Sequence, residues 1–124
     1  MPTFDSAQEL LRPGETGLAV HTDGRHFTHE PDRSGITGNW VINPKRQIDC
    51  VVVVRWERRG RQRFTEMFTA RPEEFVRLEN GRHEIKLIDV QLAGSTDRSW
   101  LEFAETGRNP VKYVFRPATS QMPA

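Results

Sequence analysis

In several stretches of this chain apolar and polar residues alternate with a period of two, the pattern of strands that bury one face. Val111, Tyr113 and Phe115 alternate, as does the segment from Phe64 to Ala70. Gly17 to His21 and Arg25 to Thr28 are shorter strand candidates. Thr22-Asp23-Gly24 between them has turn chemistry and predicts that the two form a hairpin. Glu30 to Gly38, rich in Pro, Asp, Ser and Gly, predicts an exposed loop. The strongest strand signal is Ile48 to Trp56, dominated by β-branched valine.

Two hairpins are specific enough to predict a register. With Gly60-Arg61 as a type II′ turn, Val54 faces Met67, Val53 faces Phe68 and Arg55 faces Glu66. Moving the turn to Arg59-Gly60 sets Val53 against Glu66 and loses these matched pairs, each worth about 0.2–1 kcal/mol. Downstream, Asn80-Gly81 is the type I′ signature. A two-residue loop there pairs Glu79 with Arg82, Arg77 with Glu84 and Val76 with Ile85. The strand continues through Leu87, Ile88 and Val90, and its alternation slips near Asp89, predicting a bulge.

Helical signals are brief. Ser6-Ala7-Gln8-Glu9 reads as a capping box for a short helix through Leu10 and Leu11, stopped by Pro13-Gly14. Trp100, Phe103 and Ala104 share a helix face, with N-cap oxygens in Ser95-Thr96-Asp97 and a stop at Gly107. The helices are too few, and too little interleaved with the strands, for a parallel α/β sheet. The expected fold is α+β, mainly β: a curved or barrel-like, largely antiparallel sheet with two short helices plugging its ends. The 124 residues fit one domain, expected over 1–116, with a loose tail over 117–124.

Composition narrows the function. The longest apolar run, Cys50 to Val54, is far short of the ~18 residues that span a bilayer, and Met1 to Ser6 carries no secretory signal. A cytoplasmic protein without a membrane partner is the expectation. The single cysteine, Cys50, leads the valine run and reads as a small buried hydrophobe. Net charge is only +1, so no global field steers a polyanion. The basic residues are nonetheless biased, with Arg far outnumbering Lys, a bias that a GC-rich bacterial genome also produces.

Three groups of residues carry candidate chemistry. Arg55, Arg58, Arg59, Arg61 and Arg63 crowd the first hairpin, with Glu57 the only acid among them. Such an arm can lie along a phosphate backbone while Trp56 stacks on a base, or it can be a solvated tip whose charges discourage edge pairing. Trp40, Trp56 and Trp100 are possible pocket rings. Trp100 is expected in the core with Phe103, and Trp40, after Gly38-Asn39, is expected to be the most exposed. His21, His26 and His29 are a weak metal candidate that closes only if His29 lies in a loop, whereas His83 is expected on exposed hairpin surface. The close acid pairs, Glu73-Glu74 after Pro72 (a helix start or turn) and Glu102 with Glu105, lack a partner that would split their pKa values. The sequence contains no P-loop, dinucleotide fingerprint, nucleophile elbow or zincin motif, and no residue is assigned a catalytic role or a cofactor.

Gly38-Asn39-Trp40-Val41-Ile42-Asn43, running into Asp49-Cys50-Val51-Val52-Val53, is one distinctive stretch. Ala93 to Trp100, with Phe103-Ala104, is another. Together they resemble small bacterial domains of unassigned function, and the element order is similar to PUA-like domains, the group of the EVE and ASCH families. The resemblance covers roughly residues 15 to 116. It implies a small pseudobarrel whose pocket, in several members, holds a nucleobase or nucleotide. It bears on fold and carries over no site residue. The expected function is a module that binds nucleic acid or a nucleotide-type ligand. The alternatives are a protein-interaction or regulatory module meeting an acidic partner and, third, a small metal-dependent hydrolase.

Overall fold

A computed structural model describes residues 2–104 and 109–118, without the side chains of Arg59 and Leu101. Seven strands form one mixed sheet: β1 (Thr16–Thr22), β2 (Phe27–His29), β3 (Gly35–Trp40), β4 (Cys50–Arg59), β5 (Gln62–Arg77), β6 (His83–Ser95) and β7 (Val111–Phe115). Their spatial order is β2-β3-β6-β5-β4-β1-β7. Every pairing is antiparallel except that of β1 with β4.

The chain does not permit a flat sheet. Only Asp23 to His26 separate β1 from β2, yet the two strands are five positions apart in the strand order. Five Cα steps reach about 18 Å at most. Five inter-strand spacings in a flat sheet require about 24 Å. The sheet therefore curls, and Phe27 of β2 meets Phe68 of β5 with ring centroids 5.0 Å apart. The curl stays open, because β2 and β7 do not pair with each other.

Curling creates two cores. The inner one gathers residues from every strand, including Leu18, Val20, Phe27, Trp40, Val51, Val53, Phe68, Ile85 and Leu87. The outer one lies on the opposite face of β1, β4, β5 and β7, where Ala19, Cys50, Val52, Val54, Met67 and Val114 meet Ala7, Leu11 and Phe103. β4 is thus buried on both faces, which is why Cys50–Val54 is continuously apolar rather than alternating. The outer core is covered by a single 3-10 turn, Ala7–Leu10, and by the one-turn helix α1, Trp100–Phe103. These turns lie over a face of the sheet instead of plugging its ends. The Glu9 carboxylate accepts from the N–H of Ser6 (2.9 Å), as the capping-box pattern expects. The second N-cap is Ser99, not Ser95-Thr96-Asp97, since β6 runs on through Ser95. The expected stop at Gly107, Glu105 of the second acid pair, and residues 119–124 of the expected tail lie outside the described residues.

The first hairpin has the expected register: Val54 faces Met67, Val53 faces Phe68 and Arg55 faces Glu66, with Gly60 at φ +63°. The second is shifted by one residue. Val76 faces Glu84, Arg77 faces His83, and Phe75 takes Ile85. The turn is a three-residue type: Gly81 N–H donates to Leu78 O (2.9 Å), Gly81 has φ +82°, and Leu78 N–H donates to Arg82 O (2.8 Å). Hydrophobic pattern decides this register, because directly opposed residues share a face and Phe75 packs with Ile85 on the inner core. His83 is consequently buried instead of exposed. The bulge near Asp89 is present, with Asp89 at φ +56° and a register shift opposite Thr69–Arg71.

Three further expectations are corrected. β1 and β2 are not a hairpin; β1 lies between β4 and β7. Gly35 to Gly38, expected in the loop, belong to strand β3, and the glycines there reflect crowding. A Cβ on Gly35 would lie 2.6 Å from Thr28 O, and one on Gly38 would lie 2.6 Å from Glu84 Cα. Finally, β5 runs through Pro72 and Glu73-Glu74 without a turn. Its pairing with β4 ends at Ala70, so the missing proline N–H falls where that neighbour has stopped.

Candidate functional site

β1 accompanies β4 only as far as Thr22 opposite Arg55, and β6 accompanies β5 only as far as Ser95 opposite Glu66. Beyond that line the β4–β5 hairpin projects as a two-stranded ribbon. A cleft of about 380 Å³ opens on the outer face where the flanking strands stop. Its sheet wall is His21, Val54, Arg63 and Thr65; its other wall is the segment from Thr96 to Phe103.

Strand alternation places the sheet wall. Val52 and Val54 face outward, so Trp56 and Arg58 do too, and Trp56 faces Thr65 while Arg58 faces Arg63. In the parallel β1–β4 ladder His21 lies beside Val54, bringing its ring to the same face. Trp100, on α1, stacks on His21 with centroids 4.8 Å apart and planes 4° from parallel. The Trp56 ring also lies near His21, with centroids 6.4 Å apart and planes tilted 35°. The Arg63 guanidinium is 4.6 Å from the Trp56 centroid, and its Nη2 is 3.4 Å from His21 Nε2. Burial, and then the positive charge of Arg63, lower the His21 pKa to about 4. The ring is neutral at pH 7, so Nε2 accepts from the guanidinium and the proton resides on Nδ1.

The loop wall is braced internally. Arg98 bridges Asp5 (3.3 Å) and Glu102 (3.2 Å). Ser99 Oγ donates to Glu102, and Thr96 Oγ1 accepts from the Arg98 N–H. Backbone bonds from Ser95 N–H to Pro2 O and from Phe4 N–H to Ser95 O pin the start of the loop to the N-terminal segment.

The structure redistributes the other expected site residues. Trp40 is not an exposed ring: it is 5% exposed, and its Nε1 donates to Thr37 Oγ1 (3.0 Å). Trp100 is only half-buried, so it serves the outer core and the cleft together. Arg55 is on the inner face, paired with Glu66 (2.7 Å) and lying over Phe68 (5.4 Å). Arg58, Arg61 and Arg63 are exposed along the ribbon; the Arg59 side chain is outside the described set. The histidines do not converge: His21 stacks on Trp100, His26 meets Trp40 edge-on (5.4 Å), and His29 stacks on Phe27 (5.4 Å). Among the described residues no cluster of three or more His, Cys, Asp or Glu could hold a metal ion. Cys50 is buried, and burial pushes its thiol up to about 11, so it is no nucleophile at neutral pH. No helix among the described residues is long and apolar enough to cross a membrane.

Sequence reasoning found Trp56 and the arginines but missed His21 as the centre of the stack. Alternation and the hairpin register place Trp56 and Arg63 on one face, but the parallel pairing that brings in His21 has no local signal. Comparison with family models, with curated proteins and with solved structures finds nothing that matches this chain.

Proposed function

We propose that this chain is a small cytoplasmic module that binds single-stranded nucleic acid or a nucleotide-type ligand, and that its open curled sheet is a PUA-like pseudobarrel. The observation that carries the reading is the position of Arg63, held over Trp56 and against a neutral His21 at the edge of a cleft large enough for a nucleotide. A guanidinium fixed beside aromatic rings offers a phosphate contact and a stacking surface together. Arg58 and Arg61 extend the positive charge along the ribbon. Fluorescence polarisation with short labelled single-stranded DNA and RNA at low salt tests the reading. Binding is expected to weaken with added salt, and about tenfold on Arg63→Glu or Arg61→Glu. Absence of any polarisation change at low salt overturns it.

A second reading, a protein-interaction module, is favoured by one observation. The outer face of β3 and β6 exposes Ile36 and Ile88 beside a cleft of about 240 Å³. Purification from native lysate that yields a stoichiometric protein partner and no nucleic acid would favour it over the first.

A further inference from the structure

The cleft carries charges of opposite sign on its two walls, and these charges differ from the rest of its polar lining. Thr96, Arg98, Ser99 and Glu102 are consumed by one another and by Asp5. Asp97 lies in the middle of that braced loop and makes no ion pair or side-chain hydrogen bond among the described residues, although its neighbours hold its backbone in place. Across the cleft, Arg63 is in no ion pair among the described residues, whereas Arg98 has two. A ligand that satisfies both walls needs an anion at one end and hydrogen-bond donors at the other.

A nucleoside monophosphate has this polarity, with its phosphate and the far edge of its base at opposite ends. A carboxylate has only acceptors, so it prefers two adjacent donors with no acceptor between them. The hydrogen-bonding edges of the bases differ in this respect. Guanine presents N1–H and the 2-amino group side by side. Adenine and cytosine each present one amino group beside a ring-nitrogen acceptor, and uracil presents one N–H flanked by two carbonyls.

Resting on the proposed nucleotide-binding role, we propose that Asp97 is a specificity residue that selects a guanine base, with the phosphate held by Arg63 and the base lying against Trp100. Two charge-assisted hydrogen bonds to one carboxylate discriminate against bases that offer one donor and one repelled acceptor. Asp97 is exposed, so the preference is moderate.

The test is titration of the whole chain with guanosine, adenosine, cytidine and uridine 5′-monophosphates, followed by tryptophan fluorescence and calorimetry. Guanosine monophosphate is expected to bind about tenfold more tightly than the other three. Asp97→Asn should abolish that preference while leaving residual, phosphate-dependent binding, and Arg63→Gln should weaken all four ligands alike. Equal affinity for the four, or a guanine preference that survives Asp97→Asn, overturns the assignment but leaves the binding role intact if oligonucleotides still bind. If neither monophosphates nor oligonucleotides bind, the binding role falls as well. Unchanged unfolding midpoints for both variants, measured in parallel, exclude misfolding as the cause of a loss.

Discussion

The two halves of the β4–β5 hairpin share one register but experience different surroundings. In the lower half, Val51 to Val54 opposite Met67 to Ala70, β1 and β6 flank the pair, and the valines are buried on both faces. In the upper half, from Trp56 and Thr65 to the Gly60 turn, no strand flanks the pair among the described residues. The lower half is where burial stabilises the fold. The upper half holds together by its own ladder and by the contacts of Trp56, Arg63 and His21, and a lone two-stranded ribbon is at best marginal in water. The candidate site occupies the boundary, with a rigid floor beneath and an adjustable cationic arm above.

The contrast can be broken most directly in the lower half. Met67→Ala removes a fully buried side chain from the outer core and should cost about 3 kcal/mol, read from urea unfolding. A loss below about 1 kcal/mol would mean that the floor relaxes and is not the rigid half.

The next largest effect belongs to the boundary. The folded pKa of His21, about 4, lies below its unfolded value of 6.5, so the unfolded chain takes up the proton first as pH falls. Stability is therefore unaffected above about pH 6.5, declines between 6.5 and 4, and levels off for this group below that. The decline should be about 1–2 kcal/mol once the shift is discounted for the half-exposed ring. It should be largely absent in His21→Gln. An NMR titration that finds His21 protonating near its ordinary value would dissolve the stack as described.

At the tip the effects should be smaller and local. A Cβ on Gly60 meets nothing within 4 Å, so Gly60→Ala costs only the strain of the positive φ, about 1 kcal/mol. Amide exchange should quicken between residues 57 and 64 while the global midpoint holds, because the ribbon can open without the floor. A matching fall in the global midpoint would show that the two halves unfold together. Smallest of all, Arg55→Ala should cost under about 1 kcal/mol, since the Arg55 and Glu66 side chains are 33% and 34% exposed.

The same boundary separates what was legible in the sequence from what was not. The first hairpin could be read because Gly60 and the Arg55–Glu66 pair agree with the valine and phenylalanine pattern on one register. The second could not be read from its turn alone: Asn80-Gly81 suits more than one loop length, and the burial of Phe75 with Ile85 decided the outcome. β3 was hidden because Gly35 and Gly38 lower strand propensity, and the close backbone approach they permit exists only after the sheet forms. In the site, Trp56 and Arg63 follow from alternation, but His21 and Trp100 meet through the β1–β4 pairing and the fold-back of α1, contacts remote in sequence.

The placement of β1 also sets an order of events during synthesis. Leu18-Ala19-Val20 is made before both of its neighbours: β4 follows some thirty residues later, and β7 follows after β6 and α1. Until they emerge, an apolar segment with unpaired amides waits for partners it cannot find nearby. Such remote pairings slow the search for the native topology to about milliseconds to seconds. Chain lengths that stop short of Val111 should therefore be the forms that need a chaperone's shelter.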